Sequence, residues 1–344
     1  MNHSIKLKST NRLNLAAVIL SVLLFWSGVP LTVLGDDNIW PVNGHTPNAW
    51  STVSAEYAAV LADTAEADWQ AGGSGPCPDC CFSPGTLFQW SYGNSFSGGP
   101  DLDEPLVTDR PDFTEASTTV GLGVTQIEFG YTYTYNADDG TSERGQSIGE
   151  PLLRYGIFAE WLELRVGLLP VEQRITTGGR SNSTSGTEDL YLGFKIGLTP
   201  QECILPEMAL IPQMTVPTGS NAFTNDETLP GVNWIYSWEI NDVLSTAGST
   251  QINRRVDGTT GNSYAEIAQS WTLAYTLTDN IGAYTEWFAL IPHSADTDQT
   301  QHYFNGGFTY LISNDVQFDI RAGVGLNAAA ADYFLGTGLS VRLK

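Results

Sequence analysis

Near the C-terminus the chain reads Val316-Gln317-Phe318-Asp319-Ile320-Arg321-Ala322-Gly323-Val324-Gly325-Leu326-Asn327, apolar at every second position. The pattern returns after a short break, with Tyr333, Leu335, Leu339, Val341 and Leu343 alternating with Phe334, Gly336, Gly338, Ser340 and Arg342. A strand turns successive side chains to opposite faces, so each run has one greasy face and one wet face. About ten residues is the length a tilted strand needs to cross a bilayer, and soluble strands usually stop sooner.

Similar runs recur upstream. Val124–Tyr135 places Ile127, Phe129, Tyr131, Tyr133 and Tyr135 on one face. It is followed by Leu152–Ala159, Leu162–Leu168, Leu190–Leu198, Met208–Val216 and Val232–Ile240. A poor run near Ser245–Val256 precedes Ala265–Leu277, Ile281–Ile291 and Gln301–Leu311. With the two terminal runs this makes about 12 strands, uncertain by about two because of the poor one. The links alternate in length. Asn136–Ser147, Pro170–Thr187 and Thr218–Gly231 are long and polar, whereas those near Glu160, at Asn241–Leu244, Thr278–Asn280 and Ser313–Asn314 are tight. Long loops on one side and short turns on the other mark an outer-membrane barrel; an even count puts both ends on the periplasmic, short-turn side. Aromatics near the run ends (Tyr133, Tyr135, Trp234, Trp238, Trp271, Tyr275, Trp287) suit interfacial girdles. An aromatic sandwich core is the competing reading, but a sandwich gives no reason for segregated loop lengths. The expected fold is all-β: a transmembrane antiparallel barrel over residues 106–344.

The N-terminus reads as a secretory signal over residues 1–35. Lys6, Lys8 and Arg12 precede the apolar run Leu15–Trp26, and cleavage is expected after Gly35. An anchoring helix is the alternative, for which the apolar core is short. Residues 36–105 are rich in Gly, Pro, Ser, Asp and Trp and read as a flexible periplasmic extension, with one helix candidate at Ser54–Gln70. The extension carries Cys77, Cys80 and Cys81, and Cys203 follows inside the barrel region. Export permits disulfides, and four cysteines allow three pairings among which the sequence does not choose. A zinc site on these cysteines is the weaker reading: no second Cys-x-x-Cys and no nearby histidine completes it. No metal and no cofactor is expected.

The formal net charge is −23, and loss of three basic signal residues takes it to about −26. Nucleic acid is therefore excluded as a partner; the expected partners are outer-membrane lipid and a small solute. Catalytic groups do not converge. His3 falls in the signal, His45 in the extension, His293 in a loop and His302 at a strand start. Asp296-x-Asp298 without further ligands reads as a solvated loop, not as a calcium site. With the greasy faces outward, Glu128, Arg154, Glu163, Arg165, Lys195, Glu239, Glu266, Glu286, Asp319, Arg321 and Arg342 point into the lumen. Two readings stay open for them: an ion-pair ladder that fills the barrel, or a polar channel lining.

Before the first run the chain reads Thr108-Asp109-Arg110-Pro111-Asp112-Phe113-Thr114-Glu115, and the run itself carries Gln126-Ile127-Glu128. These residues, with Pro212-Gln213, Pro217-Thr218-Gly219 and the Asp315–Leu326 run, resemble the bacterial outer-membrane family "putative MetA-pathway of phenol degradation" over about 106–344. The resemblance implies an outer-membrane barrel that passes small, often hydrophobic or aromatic compounds, and it brings no catalytic residues. Two features depart from the pattern: the cysteine-bearing extension, and the end at Arg342-Leu343-Lys344 in place of a terminal aromatic. The expected function is passive diffusion of small molecules through an outer-membrane channel, with no enzyme activity. The alternative is a non-transporting barrel serving envelope structure or surface interaction. A third, weaker reading is a lipid hydrolase like the Ser-His outer-membrane phospholipase, resting on His293-Ser294, but adjacent residues on a strand face opposite ways. Asp109, Arg110 and Asp112 are expected to tuck into the periplasmic mouth and narrow it; a solvated lead-in is the bland alternative.

Overall fold

The computed structural model describes residues 101–201 and 204–344. The signal, the extension through residue 100, and all four cysteines lie outside the described residues. No helix occurs among those described.

Fourteen strand segments follow one another: β1 (Thr125–Asp138), β2 (Thr141–Gly156), β3 (Leu162–Gly167), β4 (Pro170–Thr177), β5 (Arg180–Thr187), β6 (Leu190–Thr199), β7 (Glu207–Val216), β8 (Leu229–Asn241), β9 (Leu244–Val256), β10 (Ser263–Thr276), β11 (Ile281–His293), β12 (Gln301–Ser313), β13 (Val316–Gly325) and β14 (Tyr333–Leu343). Each pairs antiparallel with its neighbours, and β14 returns to β1, with Thr125 opposite Leu343 and Tyr135 opposite Tyr333. Segments β3 and β4 pair with successive halves of β2, and β6 and β5 continue that arrangement, so each pair is one wall strand with a break. The result is a closed barrel of 12 strands, all antiparallel, whose ring has no free edge; only the β5 extension pairs on one side alone.

The burial pattern is inverted relative to a water-soluble protein. On β13 Phe318, Ile320 and Val324 are 41%, 45% and 48% exposed, while Asp319 between them is at 0%. Charges are buried and large apolar side chains are exposed because the outside solvent is lipid. The apolar face carries its aromatics in two groups. Tyr133 and Tyr135 meet Tyr333 at the long-loop end, and Trp238 meets Trp271 toward the opposite end.

Two expectations need correction, and the weakest run proves to be a full strand. The stretches 136–147 and 170–187 are not loops but hairpins that prolong the wall, turning at Asp139-Gly140 and Gly178-Gly179, where φ is +42° to +78°. Their Thr, Ser, Gln and Glu residues show no greasy face because water lies on both sides above the lipid. Only 217–228 is irregular among the three expected loops. The poor run is a regular strand, β9, whose inward positions are small or amide side chains such as Ser249 and Gln251. The run at Leu152–Ala159 ends early, at Gly156.

Candidate functional site

The lead-in does not stop at the mouth. Leu106 N–H donates to the Asn314 carbonyl at the short-turn rim, and Gly123 N–H donates to the Gly156 carbonyl at the same end. Between these anchors the chain rises into the lumen and returns, so residues 106–123 form a re-entrant loop inside the barrel. The expected inward tuck of residues 108–115 therefore belongs to a longer segment that reaches further in, to Glu286 on β11. The polar inward face of the barrel is the reason: backbone groups buried in a lumen need partners, and only the wet faces of the strands supply them.

One side of the loop faces a basic cluster. The Asp109 carboxylate takes Lys195 Nζ at 2.7 Å and Arg154 Nε at 3.3 Å, and it also pairs with Arg165. Arg154 spans Glu163 at 2.8 Å and Glu128 at 3.0 Å. Arg165 also pairs with Glu163 at 3.1 Å. The Glu115 carboxylate takes Arg165 at 2.5 Å and the Asn233 side-chain amide at 2.9 Å. Burial alone would raise the Asp109 carboxyl; Arg154, Arg165 and Lys195 outweigh it and hold the group well below the usual carboxylate range. Arg154, Glu128, Glu163 and Lys195 are all at 0% exposure, so the protein encloses these side chains completely at this level of the lumen.

The other side is acidic. Arg110 reaches Glu150 at 2.6 Å and Asp319 at 3.3 Å, and donates to the Thr337 carbonyl at 3.1 Å. Its guanidinium occupies the space where Gly130 and Gly338 would carry Cβ atoms, so glycine at both wall positions makes room for it. Arg321 holds the Pro111 carbonyl at 2.8 Å and stands over the Phe334 ring. At the apex, Phe113 N–H and Thr114 N–H each donate to the Glu286 carboxylate at 2.7 Å. Asp112 sits beside that carboxylate, and burial first, Glu286 second, push its carboxyl well above the usual range. The Phe113 ring stacks on Phe288 at 4.5 Å, and Phe288 stacks on Tyr303 at 4.8 Å. Ala330, from the β13–β14 link, packs on this aromatic group.

Of the charges expected to face inward, the loop gathers Glu128, Arg154, Glu163, Arg165, Lys195, Glu286, Asp319 and Arg321. Three lie apart. Arg342 is buried at the rim, where it binds Asp315 and the Leu102 and Glu104 carbonyls and so pins the start of the loop. Glu266 pairs with Arg255 at 3.0 Å near the long-loop end. Glu239 is exposed at the end of β8, because that strand runs past the packed interior before it turns. Sequence reading missed Glu115, Glu150 and Phe113. Glu150 follows a bulge in β2, at φ +37° after Gly149 at +82°, which re-aims its side chain inward against the simple alternation. The Gly149-Glu150-Pro151 string was the available signal. His293 and Ser294 lie exposed at the end of β11 and just beyond it.

A closed antiparallel barrel with lipid-facing apolar residues, buried inward charges and tight turns at the end where β1 starts and β14 finishes is an outer-membrane β-barrel. Residues 108–343 match the family described as "Putative MetA-pathway of phenol degradation", and the chain belongs to that family. Its fold is similar to that of the COG4313 outer membrane channel from Pseudomonas putida F1: 14% identity, 68% of this chain and 99% of that chain covered, TM-score 0.54. More distant are the transport unit of the autotransporter AIDA-I from Escherichia coli (9% identity, 68% and 93% covered, TM-score 0.45) and the NanC porin (12%, 64% and 100%, 0.39). No curated protein matches the sequence.

Proposed function

We propose that this barrel is a passive outer-membrane channel for small molecules, gated by residues 106–123. The observation that carries the reading is the re-entrant loop itself, which enters a lumen lined with charges and pairs with Arg154, Arg165, Lys195, Glu150 and Asp319 there. Family membership supports a transport role. Phe113 from the loop stacks into the buried ring group of Phe288 and Tyr303, so withdrawal of the loop would uncover an apolar aromatic surface in the lumen, which favours small hydrophobic or aromatic compounds. Export by the N-terminal signal and insertion into outer-membrane lipid complete the proposal.

The enclosed charged belt favours a second reading, a sealed barrel with a structural or surface role. Deleting residues 106–115 separates the two. In planar bilayers the deleted protein should conduct well above the intact one, while a heat-modifiability gel shows the barrel still folded. A folded deletion with unchanged conductance and ion selectivity would refute the gate and leave the loop as a tether.

A further inference from the structure

On the outward face of the wall, strand register sets one row of side chains across five neighbouring strands. Tyr333 on β14 lies opposite Tyr135 on β1, Tyr135 opposite Arg144 on β2, Arg144 opposite Arg174 on β4, and Arg174 opposite Ser183 on β5. Residues directly opposite across an antiparallel pair share a face, with Cβ atoms about 4.5–5.5 Å apart. That face is the lipid-facing one. Tyr135 stacks on Tyr333 at 5.3 Å, and Ile148, four residues beyond Arg144 on β2, is 52% exposed. Two arginines therefore stand side by side at the long-loop end, next to the aromatic girdle.

The protein does not neutralise this pair. Like charges directly opposite on a sheet repel. The chain carries 38 acidic residues against 15 basic ones, so a generally basic surface does not account for them. The Arg144 guanidinium has no ion pair and no hydrogen bond among the described residues; it stands over the Tyr135 ring at 6.0 Å. Arg174 reaches Glu172 only at 3.6 Å, and that carboxylate already accepts the Ser183 hydroxyl at 2.9 Å. By contrast Arg254, also outward by parity on β9, meets Glu227 at 2.6 Å and the Ser263 hydroxyl at 2.8 Å. An anion between the Arg144 and Arg174 guanidinium groups would relieve the repulsion, and arginine forks match phosphate oxygens in pairs. A solute in the lumen lies on the other side of the wall from this row. Lipid headgroups do reach it: basic clusters beside a membrane-spanning segment recruit anionic ones. In the outer leaflet of an outer membrane that anion is the phosphate of lipopolysaccharide.

We propose that Arg144 and Arg174 together bind a lipid A phosphate of lipopolysaccharide in the outer leaflet, with Tyr135 and Ile148 against the adjoining acyl chain. The proposal rests on the long-loop end facing outside, not on conduction or on the loop at 106–123. The full mature protein in detergent is titrated with lipid A, and bound lipid is counted by native mass spectrometry. The wild type should retain lipid A. Arg144→Gln combined with Arg174→Gln should weaken binding by roughly tenfold or more, since two charge-assisted contacts are lost. Each single variant should give part of that drop. Both positions are exposed, and a heat-modifiability gel checks that the variants fold. Arg180→Gln, on the β4–β5 hairpin but outside the row, should bind as the wild type does. Equal affinity in the wild type and the double variant would overturn the site. An equal drop in Arg180→Gln would do so too, since net charge alone would then set the affinity. Equal retention of phosphate-free lipid A would mean that the acyl chains alone hold the lipid. Release of lipid A by inorganic phosphate, or equally tight arginine-dependent binding of phosphatidylglycerol, would assign the row to another anion and likewise overturn the proposal.

Discussion

Replacing Asp109 with alanine strikes the point where the loop is held most tightly. Its carboxylate is the one ion-pair partner of Lys195 among the described residues and is shared with Arg154 and Arg165. It also accepts the Ala116 N–H at 2.9 Å, which closes the loop on itself. Removing one member of a buried charge network costs about 3–5 kcal/mol, since the remaining charges stay buried and unbalanced. The barrel wall has its own backbone ladder, so the loss falls on the docked state of the loop. At about 1.4 kcal/mol per decade, the docked-to-undocked ratio should drop by roughly two to three and a half orders of magnitude. Two measurements read this. Hydrogen exchange should accelerate at Asp109→Ala amides that bind lumen carboxylates, namely those of Phe113, Thr114 and Val120, which donate to Glu286 and Glu163. Bilayer conductance should rise in parallel. The pH dependence has a definite sign. Because the docked Asp109 pKa is depressed, its contribution is complete above the unperturbed value of about 4 and is lost only as pH falls through the depressed one. Between pH 8 and 5 this group should cause no opening. Unchanged exchange and unchanged conductance in a folded Asp109→Ala barrel would refute the reasoning.

A smaller perturbation is Gly338→Val. Its side chain takes the space of the Arg110 guanidinium, so the Arg110–Asp319 pair at 3.3 Å should break and conductance should rise by less than in Asp109→Ala. The topology predicts that cysteine at Asn182, on the β4–β5 hairpin, reacts in whole cells with an impermeant thiol reagent in a background without the native cysteines. Labelling only after outer-membrane rupture would mean the barrel is inverted. N-terminal sequencing of the exported protein should begin at Asp36; recovery of Met1 would rule out cleavage.

The wall was legible because lipid enforces a rule on every outward position. Phe318, Ile320, Val324, Leu335 and Leu339 are apolar for one reason, and the period-two signal follows. Where that solvent ends, the signal ends: Thr141–Ser147 and Arg180–Thr187 are strands by pairing alone, with water on both faces, and read as loops. The interior was legible by parity for Arg154, Glu163 and Lys195, whose neighbours on the strand are lipid-facing. Parity fails at Glu150 because the bulge at Gly149 shifts the alternation by one. Pairing was legible only in part: an acidic lead-in beside a lumen that holds Arg154 and Arg165 has partners within reach, and Asp109 meets both. That Asp109 meets Lys195 depends on the shear of the barrel and on the loop's height within it, and neither is written in local spacing.

The string Asp109-Arg110-Pro111-Asp112-Phe113-Thr114-Glu115 reads as a strip of complementary contacts. Asp109 and Glu115 turn to the basic cluster on β2, β3 and β6. Arg110 turns to acids on β2 and β13, and Phe113 to the ring of Phe288. This choice of contacts bears on whether the loop is permanent. A permanent filling gains nothing from ion pairs, since well-packed apolar residues of the same volume stabilise a buried site as well or better. An apolar plug, however, could not withdraw without exposing greasy surface to water. A loop held by Asp109, Arg110 and Glu115 releases groups that water solvates well, on both the loop and the wall. Polar attachment therefore lowers the cost of leaving while keeping the docked geometry specific, and that is the property a gate needs and a fixed stuffing does not.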